Sequence, residues 1–237
     1  MSEKQALKDR YSPEFIARAE ERRTRMNLHS IRVGQKTGPE IQRVLDLLYQ
    51  AHQSHYFGYF ESTATLCGVL LEQCLFTLLT EAVSLRGSIT VRLRGQTVVI
   101  SNMEDLRTVS LYQMTGSAIY YAIIPADMKD LAVELRLIRN QLMHFGFPVL
   151  RDAGTVFEAE VPTNPHDGLG SNLIVSIPAQ DARDHCLTGE DNEIWSWYIL
   201  TRTRDLMSAI FRARVTRLPP IKLKPDDPSA EGLPGSK

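Results

Sequence analysis

Between Phe60 and Val83 the chain is strongly apolar over a length that only a helix fits comfortably. A helix that is apolar on nearly every side must be covered on nearly every side. It is therefore expected to be the buried centre, and the rest of the chain has to be built around it. Thr65, Gly68 and Glu72 form its one polar line. A lone carboxylate in such a place must be paired or neutral. Glu72 thus calls for a cation from another element. Arg139 is the first candidate and Arg136 competes with it. The pair has two readings of equal standing, a structural ion pair and a support for a catalytic group.

A second helix is expected over Asp127–Phe147. Asp127 is its expected N-cap, Asp130 suits the dipole in the first turn, and Gly146 and Pro148 stop it. Met128, Leu131, Leu135, Ile138, Leu142 and Phe145 share one stripe, the core face. Val133, Leu137, Asn140 and His144 recur at helical spacing on the opposite face. That second seam asks for another helix or another subunit. Arg139 lies at the edge of the core stripe and needs a carboxylate or phosphate partner. His144 sits in the last turn, where the helix dipole favours the imidazolium. Taken singly, an Arg in an ion pair and a His at a helix end are ordinary structural features.

The remaining elements follow from the same periods. Ser12-Pro13-Glu14 opens a helix to about Asn27, whose Arg18, Arg22, Arg23 and Arg25 read mostly as a solvated face. Gly34 to Gly38 is a linker. Pro39 to Phe57 is the first core helix, with Ile41, Val44, Leu45, Leu48 and Ala51 in period. His52 and His55 near its end read as exposed helix-end histidines, or else as residues of a cleft. Ile89 to Ile100 alternates around Arg94-Gly95, a β-hairpin inserted between core helices. Glu104 to Leu111 is a short helix or loop, and Ser117 to Ile124 a helix or a buried strand. Thr155–Val161 and Asn172–Ile177 alternate as a second strand pair, joined by the turn-rich Thr163–Gly168. His166 and Asp167 lie in that loop without metal-ligand spacing, so no metal and no cofactor is expected. Asp191 is expected to cap a last helix to about Val215, with Trp195, Ile199, Leu206 and Ile210 as its stripe. Residues 202–224 hold seven Arg/Lys against one acid, Asp205. Arg202, Arg204, Arg212 and Arg214 are the candidate RNA contacts. Five prolines between Pro219 and Pro234 mark a disordered tail.

Composition closes several alternatives. With 43% hydrophobic and 23% charged residues, the 237-residue chain is expected to be a soluble globular protein. A net charge of −1 argues against a generic polyanion binder. No apolar run is expected to reach the roughly 18–20 residues of a membrane span. The polar N-terminus does not read as a secretory signal. Cys67 and Cys74 stand about 10 Å apart along one helix, too far to bridge. They read as small core residues in a reducing cytoplasm. Nucleotide-binding glycine loops, a serine-hydrolase elbow and zinc motifs are missing from the sequence.

Arg139-Asn140-Gln141-Leu142-Met143-His144 resembles the R-x4-6-H signature of the HEPN superfamily, in its R-N-x-x-x-H form. The stretch Ala51…Tyr56-Phe57-Gly58-Tyr59-Phe60…Leu70-Leu71-Glu72 is similar to that family's first helix, Gly turn and acid-bearing second helix. In outline the resemblance spans roughly residues 40–147. It implies a mainly α fold, a HEPN-like antiparallel helical bundle, here with an inserted β-hairpin and a second strand pair after the motif helix. The expected divisions are an N-terminal basic helix and linker (1–37), a helical domain with β insertions (38–216) and a Pro-rich tail (217–237).

The resemblance also implies a metal-independent endoribonuclease acting as a homodimer, a toxin or defence effector in the cytoplasm. Arg139 would bind the scissile phosphate, His144 would act as general acid and base, Asn140 would orient one of them, and Glu72 would support. The chemistry is sparing: the 2′-hydroxyl attacks its own phosphate, so the nucleophile is tethered. A two-fold axis would double the Arg/His set in one cleft. RNA and an antitoxin or another protein are the expected partners, with no membrane. The alternative is a catalytically silent HEPN module that binds a protein or nucleic acid.

Overall fold

Seven helices and two small antiparallel sheets follow one another along the described chain. The computed structural model describes residues 11–26, 39–93, 96–145, 156–161, 171–176 and 186–217. The helices are α1 (Pro13–Met26), α2 (Pro39–Tyr56), α3 (Phe60–Arg86), α4 (Met103–Arg107), α5 (Leu111–Tyr120), α6 (Lys129–Phe145) and α7 (Asp191–Arg217). The strands are β1 (Ile89–Leu93), β2 (Gln96–Ile100), β3 (Val156–Val161) and β4 (Ser171–Ser176). The linker at 34–38, the hairpin tip Arg94-Gly95, Gly146 and Pro148, the loop with His166 and Asp167, and the tail lie outside the described residues.

α3 is the centre. α2, α5, α6 and α7 all pack on it, and Leu70, Leu71, Cys74, Leu75 and Leu79 are fully buried. Each buried leucine there contributes roughly 1.5–3 kcal/mol. By length and composition α3 could cross a membrane, which corrects the expectation that no run is long enough. In this fold its apolar sides are the core of a helical bundle. α2 and α3 are joined at Gly58, whose φ of +81° is left-handed and favours glycine. The turn reverses the chain, so α2 and α3 are antiparallel.

Beyond α3, capping fixes the short pieces. Asn102 accepts from the Asp105 amide at the start of α4, and Ser110 and Gln113 form a capping box for α5. Ser117–Ile124 is thereby the end of α5 and a turn rather than a strand. The hairpin pairs Ile89 with Ile100 and Val91 with Val98. Ile89, Val91 and Ile100 are buried against the helices. In the second pair Val156 faces Ser176 and Val161 faces Ser171, and β3 lies against α6.

Four local expectations change. Pro125 starts a 3₁₀ turn over Ala126–Met128, so α6 begins at Lys129 and Asp127 is not its cap. The first bond of α7 runs from the Ile194 amide to the Glu190 carbonyl, one residue before the expected cap Asp191. Val133 is completely buried against Ile119 and Leu137, so α5 fills the start of the second seam from within the chain. Leu137 and Asn140 beyond it are half-buried. Finally, α7 runs alongside α3 in the same direction, since Cys67 meets Thr203 and Glu81 meets Arg214. The antiparallel pattern therefore does not extend to the last helix.

α1 is tied to the helical body by one buried ion pair. Arg22 Nε donates to Glu193 Oε1 at 3.0 Å, and both side chains are at most 7% exposed. Glu193 also accepts from the Leu187 and Thr188 amides and the Thr188 hydroxyl. These bonds hold its carboxyl below the ordinary value although burial opposes them. Arg18, Arg23 and Arg25 remain on the solvated face.

Candidate functional site

The site begins with a missing side chain. A Cβ on Gly68 would lie 2.6 Å from Arg139 Cγ. Glycine at this point of α3 therefore leaves the notch in which the stem of Arg139 rests. One helical turn along α3, Glu72 Oε2 receives Arg139 Nη2 at 2.7 Å. Arg139 Nη1 donates to Asn140 Oδ1 at 3.2 Å. Of the two cations expected to compete for Glu72, Arg139 holds it. Arg139 is 26% exposed and Glu72 43%. A pair so open to water contributes at most about 1 kcal/mol. An incoming anion can compete for the guanidinium at small cost.

Asn140 is half-buried beside the pair. His144 follows one turn later on the backbone of α6, and the described side chains of α6 end at Leu142. The structure thus brings together Arg139, Asn140 and Glu72, and places the His144 backbone next in line. Beside Glu72 opens a groove of about 620 Å³, lined by Arg43, Gln73, Phe76, Met103 and Met114 among others.

The candidate RNA contacts on α7 are placed differently from a free basic stripe. Arg214 grips Glu81 through Nε and Nη2, both at 2.9 Å, and these bonds raise its pKa. Arg202 lies 3.6 Å from Glu134, which also accepts from the Tyr198 hydroxyl. Arg204 is 3.5 Å from Asp205. Arg212 is exposed, with its Nε on the Ser208 carbonyl at 3.2 Å. Arg202, Arg204 and Arg214 thus each lie against a carboxylate of the same chain.

His52 and His55, read from sequence as exposed, are buried, at 7% and 2%. His55 Nδ1 is 2.7 Å from Ser196 Oγ, whereas His52 Nδ1 has no hydrogen-bond partner among the described residues. Burial pushes both imidazoles down to about 4. The signal was present in the sequence: His52 follows Leu48 by four and His55 follows Ala51 by four, so both continue the apolar stripe. Cys67 and Cys74 are free and buried. Among the described residues no group of His, Cys, Asp or Glu could hold a metal ion.

No protein-family model, no curated protein and no solved structure matches the chain.

Proposed function

We propose that the chain is a metal-independent endoribonuclease of HEPN type, working as a homodimer with a composite Arg/His site. The observation that carries this reading is the Glu72–Arg139–Asn140 cluster near the C-terminal end of α6. Its guanidinium is held, aimed and still reachable. Arg139 would neutralise the scissile phosphate. His144 would take the proton of the 2′-hydroxyl and return one to the leaving oxygen. Asn140 would keep the guanidinium in plane. The partner copy would supply the second Arg/His set through the half-buried Leu137/Asn140 part of the seam. An antitoxin or other protein partner fits the same face.

Cleavage of RNA by the purified chain in excess EDTA tests the proposal, with 2′,3′-cyclic phosphate or 3′-phosphate product ends expected. His144→Ala should lose at least about a hundredfold in rate. Arg139→Lys keeps the charge, removes the fork and should also lose activity. A folded His144→Ala variant that cuts like the parent would remove the ribonuclease reading.

A second reading is favoured by the carboxylates of the chain itself that lie against Arg139 and three α7 arginines. It is a catalytically silent helical module that binds a protein or nucleic acid. Binding without cleavage in the same experiment would select it.

A further inference from the structure

One turn before Asn140 on α6 lies an arginine that the cluster does not use. Arg136 is 2% exposed. Its Nε and Nη1 are buried without a hydrogen-bond partner, and among the described residues no carboxylate pairs with it. Its guanidinium carbon sits 4.4 Å from the centre of the Tyr112 ring. Burial lowers its pKa while Tyr112 opposes the shift, but an arginine stays charged in a protein. Glu72, the acid for which it competed, is held by Arg139, and Glu134 on the same helix is held by Tyr198 and Arg202.

A buried cation that lacks an anion is costly, and a ring face returns only part of that cost. Among the described residues, then, the fold holds a cation in place without a counter-charge. The cover is slight. Tyr112 is 42% exposed and stands in the first turn of α5, whose backbone the Ser110/Gln113 box fixes independently of the ring. The ring can rotate away without unpacking α5.

We propose that Arg136 is a phosphate-binding residue closed by Tyr112, and that a phosphate group takes the place of the ring. On a helix, positions three apart are neighbours, with Cβ atoms about 5–6 Å apart. Arg136 and Arg139 would then meet successive anionic groups of one ligand. If that ligand is RNA, the step rests on the function proposed above; a free phosphate compound would need Arg136 alone.

The experiment uses the full chain carrying His144→Ala, so that cleavage does not intrude. Thermal unfolding is followed with and without inorganic phosphate, and anisotropy is measured with a labelled single-stranded RNA across a salt series. Arg136→Met should melt no lower than its parent, because an unpaired buried charge has been replaced by an apolar chain. It should lose the protection by phosphate and bind RNA about tenfold more weakly, with a salt slope shallower by about 0.7. Tyr112→Ala should bind phosphate about tenfold more tightly, since the competing ring is gone. Arg136→Met that keeps full phosphate protection would overturn the site, as would a parent that responds to neither phosphate nor RNA. If Arg136→Met fails to fold, Tyr112→Ala decides: tighter phosphate binding supports the site, and unchanged or weaker binding makes Arg136 a packing cation. Phosphate protection through Arg136 with no change in RNA binding keeps the anion site and removes RNA as its source. An unmutated chain that does not cleave RNA, with Arg136→Met still abolishing phosphate protection, keeps this site while the ribonuclease proposal fails.

Discussion

Acid should weaken this protein well above the pH at which carboxylates titrate, and the two buried histidines of α2 are the reason. Each imidazole is held near 4 in the fold, against an ordinary value of 6.5. The folded value is the lower one, so between 6.5 and about 4 the unfolded chain binds more protons. Stability is therefore complete above the unfolded value and falls as pH drops through this window. At pH 5 each histidine would cost about 2 kcal/mol relative to pH 7.5, from 1.36 kcal/mol per unit and partial protonation. Together the loss is about 4 kcal/mol, a large part of the 5–15 kcal/mol typical of a domain. For His52 the main cause is burial, with Arg204 adding to it. For His55 burial again leads, Glu193 opposes, and Arg22 and His52 add to the depression. Urea unfolding at pH 7.5 and 5.0 measures the difference directly. His52→Leu removes a group whose Nδ1 has no hydrogen-bond partner among the described residues, so it should hold its stability at pH 7.5 and roughly halve the acid loss. His55→Leu strands the Ser196 hydroxyl and should cost about 1–3 kcal/mol already at neutral pH. A wild-type stability that is flat from pH 7.5 to 5.0, or an undiminished loss in His52→Leu, would refute the reasoning.

Three further outcomes follow from named contacts. Gly68→Ala places a Cβ against the Arg139 stem; it should destabilise by about 1–3 kcal/mol and shift Arg139 from Glu72, seen as a lower Tm and weaker RNA binding or cleavage. Glu72→Gln removes the counter-charge of a half-open pair; unfolding should change by less than about 1 kcal/mol while affinity for RNA or phosphate rises. Arg22→Met leaves Glu193 charged in a buried place and should cost about 3–5 kcal/mol, with faster hydrogen exchange in α1. Adding Glu193→Gln to that variant should recover part of the loss.

Much of the helical layout could be read from local pattern, because each signal is complete within a few residues. The apolar run of α3, the glycine between α2 and α3, the alternation of Ile89–Ile100 and the stripe of α7 each need only their own neighbours. The Glu72–Arg139 pair was also within reach, since a lone acid on a buried helix has to find a cation. Local pattern put Arg139 ahead of Arg136 as the partner of Glu72, but it could not show what excludes Arg136. Both lie on faces of α6 that turn inward, and the choice is made by the Gly68 notch on another helix. The same limit explains Val133: its period announces a second seam, but only the packed chain shows that Ile119 already fills the start of it. For Arg22 and the arginines of α7, charge runs look alike in sequence whether solvated or paired. Glu193, Glu134 and Glu81 separate them only when distant helices meet. Sequence by itself determined where the chain must be helical and which sides must be buried, through periodicity and caps. Tertiary structure alone decided which charge meets which, because ion pairing is set by distances across helices and not by spacing along one.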